Sequence, residues 1–261
     1  MDRRTFLGGS AAGLAAATFG VRTAFAGPAS ASSDVRLTVS DGRAQVHLTP
    51  GVAVTPGPGA HAGWRYGARD EESPVAVQID GDRLWVSDRG NGTVFALNAR
   101  GKVTAVARDL QAPGGLAMSP AGLLVCDVTA HEVVVLDKHG RRVGVLGKPI
   151  WTGGTFNGPV AVAVDAQGHA HVCDAGSRRI QVFDTSTRAL IGGYGDGIFA
   201  GVPRDIAITT DGRVHALDAV GRAVHSFDPQ GAHQGSTHLG ATPRLLSAAG
   251  QTLHLLVEAI R

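Results

Sequence analysis

Five times along the chain a proline opens an apolar run. These are Pro74-Val75-Ala76-Val77, Pro113-Gly114-Gly115-Leu116-Ala117, Pro159-Val160-Ala161-Val162, Pro203-Arg204-Asp205-Ile206-Ala207 and Pro243-Arg244-Leu245-Leu246. From proline to proline the spacings are 39, 46, 44 and 40 residues. A period near 40 residues marks a repeat architecture in which each unit is one small supersecondary structure. Every run is followed by a glycine (Gly81, Gly122, Gly168, Gly212, Gly250) and then by a second apolar run, which in the first four units ends at Asp88, Asp127, Asp174 and Asp218. A third run alternates apolar and polar residues, as in Arg179-Ile180-Gln181-Val182-Phe183-Asp184, the period of a strand. A fourth follows after another turn. Each unit thus predicts one four-stranded antiparallel sheet. Such a sheet cannot bury both apolar faces alone, so the units must stack on one another around an axis. The 37 glycines suit short strands joined by tight turns and disfavour a helical bundle.

The third unit, from Gly158-Pro159-Val160-Ala161-Val162-Ala163-Val164-Asp165 through Gly168-His169-Ala170-His171-Val172-Cys173-Asp174 to Arg179-Ile180-Gln181-Val182-Phe183-Asp184, closely resembles an NHL repeat. The other units are more worn, with Val128-Thr129-Ala130-His131 and Ala219-Val220-Gly221-Arg222 where that family has a Ser-Gly-Asn-like turn. The resemblance implies an all-β chain folded as a β-propeller. Counting the prolines predicts five blades. Six is the alternative, because residues 51–73 have room for further strands.

The two ends are complementary. The last unit stops after its second strand, near Leu253-His254-Leu255-Leu256-Val257, whereas Val35-Arg36-Leu37-Thr38-Val39 and Ala44-Gln45-Val46-His47-Leu48 have the pattern of a third and fourth strand. The expectation is that the N- and C-terminal strands share one blade and close the ring, which removes exposed sheet edges.

Ahead of these strands the chain reads Asp2-Arg3-Arg4-Thr5-Phe6-Leu7, an apolar Gly/Ala-rich run to Val21, and Ala24-Phe25-Ala26. This resembles a twin-arginine signal peptide, so residues 1–26 are expected to be a cleaved leader and residues 27–261 the propeller. The run is short for a membrane span of roughly 20 residues, and no cysteine lies near the cleavage site to carry lipid. The expected location is periplasmic or extracellular, with no stable membrane anchor after cleavage. A net charge of +2 argues against a nucleic-acid partner.

In propellers of this kind ligands bind on the face formed by the loops before each first strand and after each second strand. The rim residues expected to bind a ligand are Arg204, Arg244, Asp205, Asn157, Glu72, Arg89 and Arg178. Arg204, Asp205 and Arg244 stand out because they interrupt the apolar start of their strands. The strand-ending aspartates are expected to accept backbone N–H groups in the adjoining turn. His171, His215 and His254 share one column of the second strands, but equivalent positions in successive blades diverge from the axis, which places them between blades and not around a zinc ion. The peptidyl-hydroxyglycine lyase that this propeller resembles carries histidines near the starts of the innermost strands. Val75, Gly114, Val160, Arg204 and Arg244 stand there in this chain. Cys126 and Cys173 precede the strand-ending aspartate in neighbouring units, too far apart in such a ring for a disulfide.

Two functions of different classes remain. The first is a non-catalytic binding module whose arginine-rich rim receives a protein, peptide or glycan of acidic character, with no cofactor. The second is a metal-assisted hydrolase or lyase resembling the gluconolactonase-like propellers, with Glu72, Asn157 and Asp205 as oxygen ligands for Ca²⁺ or another divalent cation in the channel.

Overall fold

The computed structural model describes residues 17–21, 35–40, 43–48, 52–54, 76–81, 83–90, 92–98, 102–147, 155–240 and 243–257. At the N-terminus β1 (Ala17–Val21), β2 (Val35–Ser40), β3 (Arg43–Leu48) and β4 (Val52–Val54) form a meander in which Val35 faces Leu48 across β2 and β3. The 77–107 blade consists of β5 (Val77–Asp80), β6 (Arg83–Asp88), β7 (Thr93–Asn98) and β8 (Val103–Ala107). The 113–146 blade follows, with β9 (Pro113–Ser119), β10 (Gly122–Asp127), β11 (Glu132–Leu136) and β12 (Arg142–Leu146). The 159–194 blade holds β13 (Pro159–Val164), β14 (His169–Asp174), β15 (Arg179–Asp184) and β16 (Leu190–Tyr194). In the 203–238 blade the strands are β17 (Pro203–Ile208), β18 (Val214–Asp218), β19 (Ala223–Phe227) and β20 (His233–His238). A hairpin of β21 (Pro243–Ala249) and β22 (Thr252–Val257) opens a further blade. Every sheet is an antiparallel meander in chain order.

The first strands are the innermost. β9 packs on β5 and β13, β13 on β17, and β17 on β21, so five first strands follow one another around the axis as the prolines predict. Close approach at the axis shows at Gly115, where a Cβ would sit 2.7 Å from Ala161 Cα and 2.9 Å from Val160 O. No larger residue fits between these two inner strands. The turn glycines Gly81, Gly122, Gly168, Gly212 and Gly250 all have positive φ, the conformation that L side chains resist.

Each sheet is a wall between two cores, and the two-residue period of a strand decides which core a side chain enters. Ala170 and Val172 on β14 pack with Leu124, Val133 and Val135 of the preceding blade. Cys173, one residue on, packs with Ile206, Val214 and Ala216 of the following blade. Both faces of the middle strands are therefore apolar, which is why these runs read as continuously hydrophobic. Trp85, Phe95, Phe183 and Phe227 are the largest fully buried side chains.

The pairings described at the N-terminus join β2 and β3 to β1 and β4, and none of them joins these strands to β22. β2 and β3 do pair as the expected antiparallel strands. Closure of the ring through a shared terminal blade stays an expectation, with its test below.

Candidate functional site

Three of the strand-ending aspartates organise the loop face. Asp127, which is 2% exposed, accepts Gln111 N–H at 2.8 Å and Ala112 N–H at 2.7 Å. Asp174 accepts Asn157 N–H at 2.6 Å and the Gln181 side-chain amide at 2.9 Å, and the same amide donates to Thr155 O at 2.6 Å. Asp218 accepts Gly201 N–H at 2.9 Å and Gly221 N–H at 2.8 Å. Only Gly221 belongs to the turn that follows its aspartate. The other backbone donors lie in the loop before the first strand of the same blade, so the carboxylates tie the two loops of each blade together. A buried carboxylate satisfied by amides is a structural clamp, and its oxygens are not free for a ligand.

Four residues after each aspartate the backbone turns left-handed, at Gly92 (φ 59°), His131 (φ 56°), Arg178 (φ 52°) and Arg222 (φ 48°). The sequence does not announce this, since only the first of the four is glycine. A non-glycine residue in this region is uncommon and costs stability. At His131 the conformation is used: the ring Nδ1 accepts Gly158 N–H at 2.8 Å, linking the 113–146 and 159–194 blades. Leu110 N–H donates to Gly92 O at 3.1 Å and makes the corresponding link one blade earlier. Arg178 and Arg222 are exposed, and neither has an acidic partner among the described residues.

The innermost strands carry a second device. The register between first and second strands slips between Pro159 and Ala161, between Pro203 and Asp205 and between Pro243 and Leu245, and in the 113–146 blade opposite Cys126. A β-bulge therefore stands at the residue after the proline, which is Val160, Arg204 and Arg244 in these three blades. Bulges leave one residue unpaired and re-aim its side chain at the end of a strand. Arg204 is exposed there, and Arg244 takes the same backbone position.

Asp205, next to that bulge, behaves unlike the other rim candidates. It is partly buried, one oxygen accepts Ile206 N–H at 2.9 Å, and the other accepts Leu246 N–H at 2.7 Å from the neighbouring inner strand. Burial pushes its carboxyl up to about 6, against the lowering effect of both hydrogen bonds and of the Arg204 charge. Gly115 and Ala161 fill this position in the two preceding blades, so a carboxylate is wedged where a small residue packs elsewhere.

The remaining expected rim residues are placed as follows. Asn157 is exposed, with its carbonyl accepting Gly176 N–H at 2.8 Å. Arg89 is partly buried in the loop after β6. Glu72 lies outside the described residues, so the oxygen-ligand set of Glu72, Asn157 and Asp205 is not assembled by the structure. Among the described residues no three His, Cys, Asp or Glu side chains converge as metal ligands.

Of the second-strand histidines, His171 and His215 are buried and find their polar partners within their own blades, and the His254 side chain lies outside the described residues. His171 is 4% exposed, with Nδ1 2.8 Å from Tyr194 Oη and Nε2 3.3 Å from Asp165. His215 has Nδ1 2.9 Å from Ser226 Oγ and Nε2 3.4 Å from Thr209 Oγ1. Cys126 and Cys173 are buried free thiols, and burial pushes both far above the ordinary thiol range. At the opposite end of the blades from the loops, a cleft of about 480 Å³ lies between the turns of the 77–107 and 113–146 blades. Arg83 spans it, donating to Lys138 O at 2.8 Å with its guanidinium 5.7 Å from the Trp85 ring.

No protein-family model matches the chain. Among solved structures the virginiamycin B lyase of Staphylococcus aureus is similar at a TM-score of 0.66 over 93% of this chain and 82% of that one, with 11% identity. A streptogramin B lyase is similar at 0.65 over 91% and 80%, with 13% identity. The chain is a β-propeller. At these identities the likeness speaks for the fold alone. Hydrazine synthase of Kuenenia stuttgartiensis matches less of this propeller, at a TM-score of 0.54 over 66% of it and 50% of that chain, with 21% identity. The mouse protein NHL repeat-containing protein 3 is 30% identical over 179 residues, which is 58% of the propeller chain. The match spans 49% of that relative's length. That similarity supports the resemblance to NHL repeats that the 158–184 segment suggests.

Proposed function

We propose that this propeller is an exported binding module which receives an anionic protein, peptide or glycan on its loop face. The observation that carries the reading is the set of exposed arginines on a rigidly clamped rim. Arg204 stands at an inner-strand bulge, and Arg178 and Arg222 stand at left-handed positions four residues beyond buried aspartates. Asp127, Asp174 and Asp218 spend their oxygens on backbone amides and, at Asp174, on the Gln181 side-chain amide, so the rim keeps its cations outward and its carboxylates inward. A guanidinium presents paired donors to a carboxylate or sulfate, and its position on a fixed backbone reduces the ordering cost of binding. Export by the twin-arginine route, read from Arg3 and Arg4, supplies the compartment and the reason for an extracellular class of partner.

The test uses the mature chain and sulfated glycan or poly-glutamate as probes. Arg204→Ala together with Arg244→Ala is expected to weaken binding by roughly 1–3 kcal/mol, with a reduced dependence on salt. Stability is expected to change by less than about 0.5 kcal/mol, the usual range for exposed positions. The second reading is an enzyme of the hydrolase or lyase class, the class named for the streptogramin lyases that share the fold, with Ca²⁺ or a similar cation held by Glu72, Asn157 and Asp205. Chelator-sensitive lactone hydrolysis, lost in Asn157→Ala and kept in the arginine variants, would establish that reading and refute the first.

A further inference from the structure

The outer half of the 203–238 blade brings together His225, His233 and Ser236, which the binding reading does not use, beside the Asp218 carboxylate that clamps the rim. On β19 and β20 His225 is directly opposite Ser236, and Phe227 is opposite His233, so these four share one face of the sheet. That face looks toward the preceding blade: Phe227 packs at 4.9 Å on Tyr194, and Phe199 makes an edge contact at 5.1 Å with the His225 ring. His225 is 5% exposed, whereas Ser236 is open to solvent.

The hydrogen-bond roles follow from what surrounds the His225 ring. Its Nδ1 lies 2.7 Å from Ser236 Oγ. Its Nε2 is buried and has no hydrogen-bond partner, and an Asp218 oxygen lies 3.9 Å away. A lone pair on Nε2 would face that carboxylate with repulsion, whereas an N–H there directs its positive end toward it. Nε2 therefore carries the proton and Nδ1 carries the lone pair. The Ser236 hydroxyl then donates to Nδ1. His233 Nε2, 3.1 Å from the same oxygen, must donate to it, because the only hydroxyl proton is already committed. A serine oxygen that gives its proton to a neutral imidazole, with a buried carboxylate behind the ring and a second N–H at the oxygen, has the parts of an activated nucleophile.

The geometry points to Ser236 as a nucleophile toward small carboxylic esters and phosphonyl compounds, with His225 as its general base and Asp218 as the positioning carboxylate. In the acyl-transfer step Ser236 Oγ forms a bond to the ester carbonyl carbon, and its proton passes to His225 Nδ1. The ester C–O bond breaks, and the leaving oxygen departs with the electron pair and takes the proton from His225 as an alcohol or phenol, which returns the ring to its neutral form. His233 Nε2–H is placed to hydrogen-bond the carbonyl oxygen as it gains charge. Water then attacks the acyl-serine, giving up a proton through His225, and releases the carboxylic acid with Ser236 restored. A close parallel in the same blade lacks these features: His215 Nδ1 also meets a serine, Ser226, but its Nε2 lies beside the Thr209 hydroxyl. Burial holds His225 below its ordinary titration range, with Asp218 raising it and His233 and His238 lowering it, so the ring is neutral and able to accept a proton near neutral pH.

The experiment uses the full mature chain with a fluorophosphonate probe and with p-nitrophenyl acetate, and locates the adduct by peptide mass spectrometry. The expected result is a single modified residue, Ser236. Labelling is lost in Ser236→Ala and slowed about a hundredfold in His225→Gln, the scale of general-base assistance. Ser226→Ala, with its hydroxyl on the other His–Ser pair, is expected to label like the parent. Melting curves of each variant separate loss of the nucleophile from loss of the fold. In Asp218→Asn the pH profile of labelling moves down, because the charge that raises the His225 ring is gone. Absence of an adduct on Ser236 in the folded chain, or equal labelling of Ser236→Ala, overturns the assignment.

Discussion

Replacing Asp205 by asparagine separates the energetics of the wedged carboxylate from everything around it. Its carboxyl is pushed from the ordinary 3.8 to about 6 in the folded chain. An acid with a folded-state pKa above its unfolded value binds its proton more tightly when folded, so its contribution to stability falls as pH rises through that window. The loss begins near the unfolded value and is complete above the folded one. A shift of about two units corresponds to about 3 kcal/mol at 1.36 kcal/mol per unit. About half of this is already lost by pH 5, and the rest, about 1.5 kcal/mol, is lost between about pH 5 and pH 8. Asparagine cannot titrate. It also keeps only one acceptor for the Ile206 and Leu246 amides, a cost that does not depend on pH. The difference in unfolding free energy between parent and Asp205→Asn, taken by urea titration at both pH values, cancels that cost along with all other titrating groups. The variant is expected to gain about 1.5 kcal/mol on the parent from the lower pH to the higher. A difference that stays constant with pH, or one of opposite sign, refutes the claim that burial dominates this carboxylate.

Three further outcomes test other parts of the account. Asp127→Ala leaves the buried Ala112 amide and the part-buried Gln111 amide without an acceptor and is expected to cost about 1–3 kcal/mol for the buried donor, with little added by the other, and Asp127→Asn is expected to cost less; chemical denaturation measures both. Deleting residues 27–50 is expected to lower the melting temperature and expose strand edges to aggregation, and an unchanged, cooperative melt would end the idea of a shared terminal blade. Arg3→Lys with Arg4→Lys is expected to retain an uncleaved chain in the cytoplasm, read by fractionation and by N-terminal sequencing, which for the parent should begin near Gly27.

The prolines, the turn glycines and the two-residue alternation specify the strands and their stacking from the sequence alone, because these signals depend on local backbone geometry and on which face of a strand meets a core. The strand-ending aspartates were legible as caps for the same reason. Their partners were not: Gln111, Ala112, Asn157 and Gly201 lie 15 to 17 residues earlier in the chain, and only the folded blade brings those amides to the carboxylates. Asp205 read as a rim ligand because it interrupts an apolar run. Packing against the neighbouring inner strand made it a bridge to Leu246, 41 residues away. The left-handed turns at His131, Arg178 and Arg222 left no glycine for the sequence to show, although their constant distance from the preceding aspartate was a usable signal. His225, Ser236 and Asp218 come from three strands or strand ends, and they meet only through the β19–β20 register and the burial of the Asp218 carboxylate. Periodicity along a chain records which face is apolar. Which polar atoms meet across that face is decided by register and blade packing, and those depend on the whole ring.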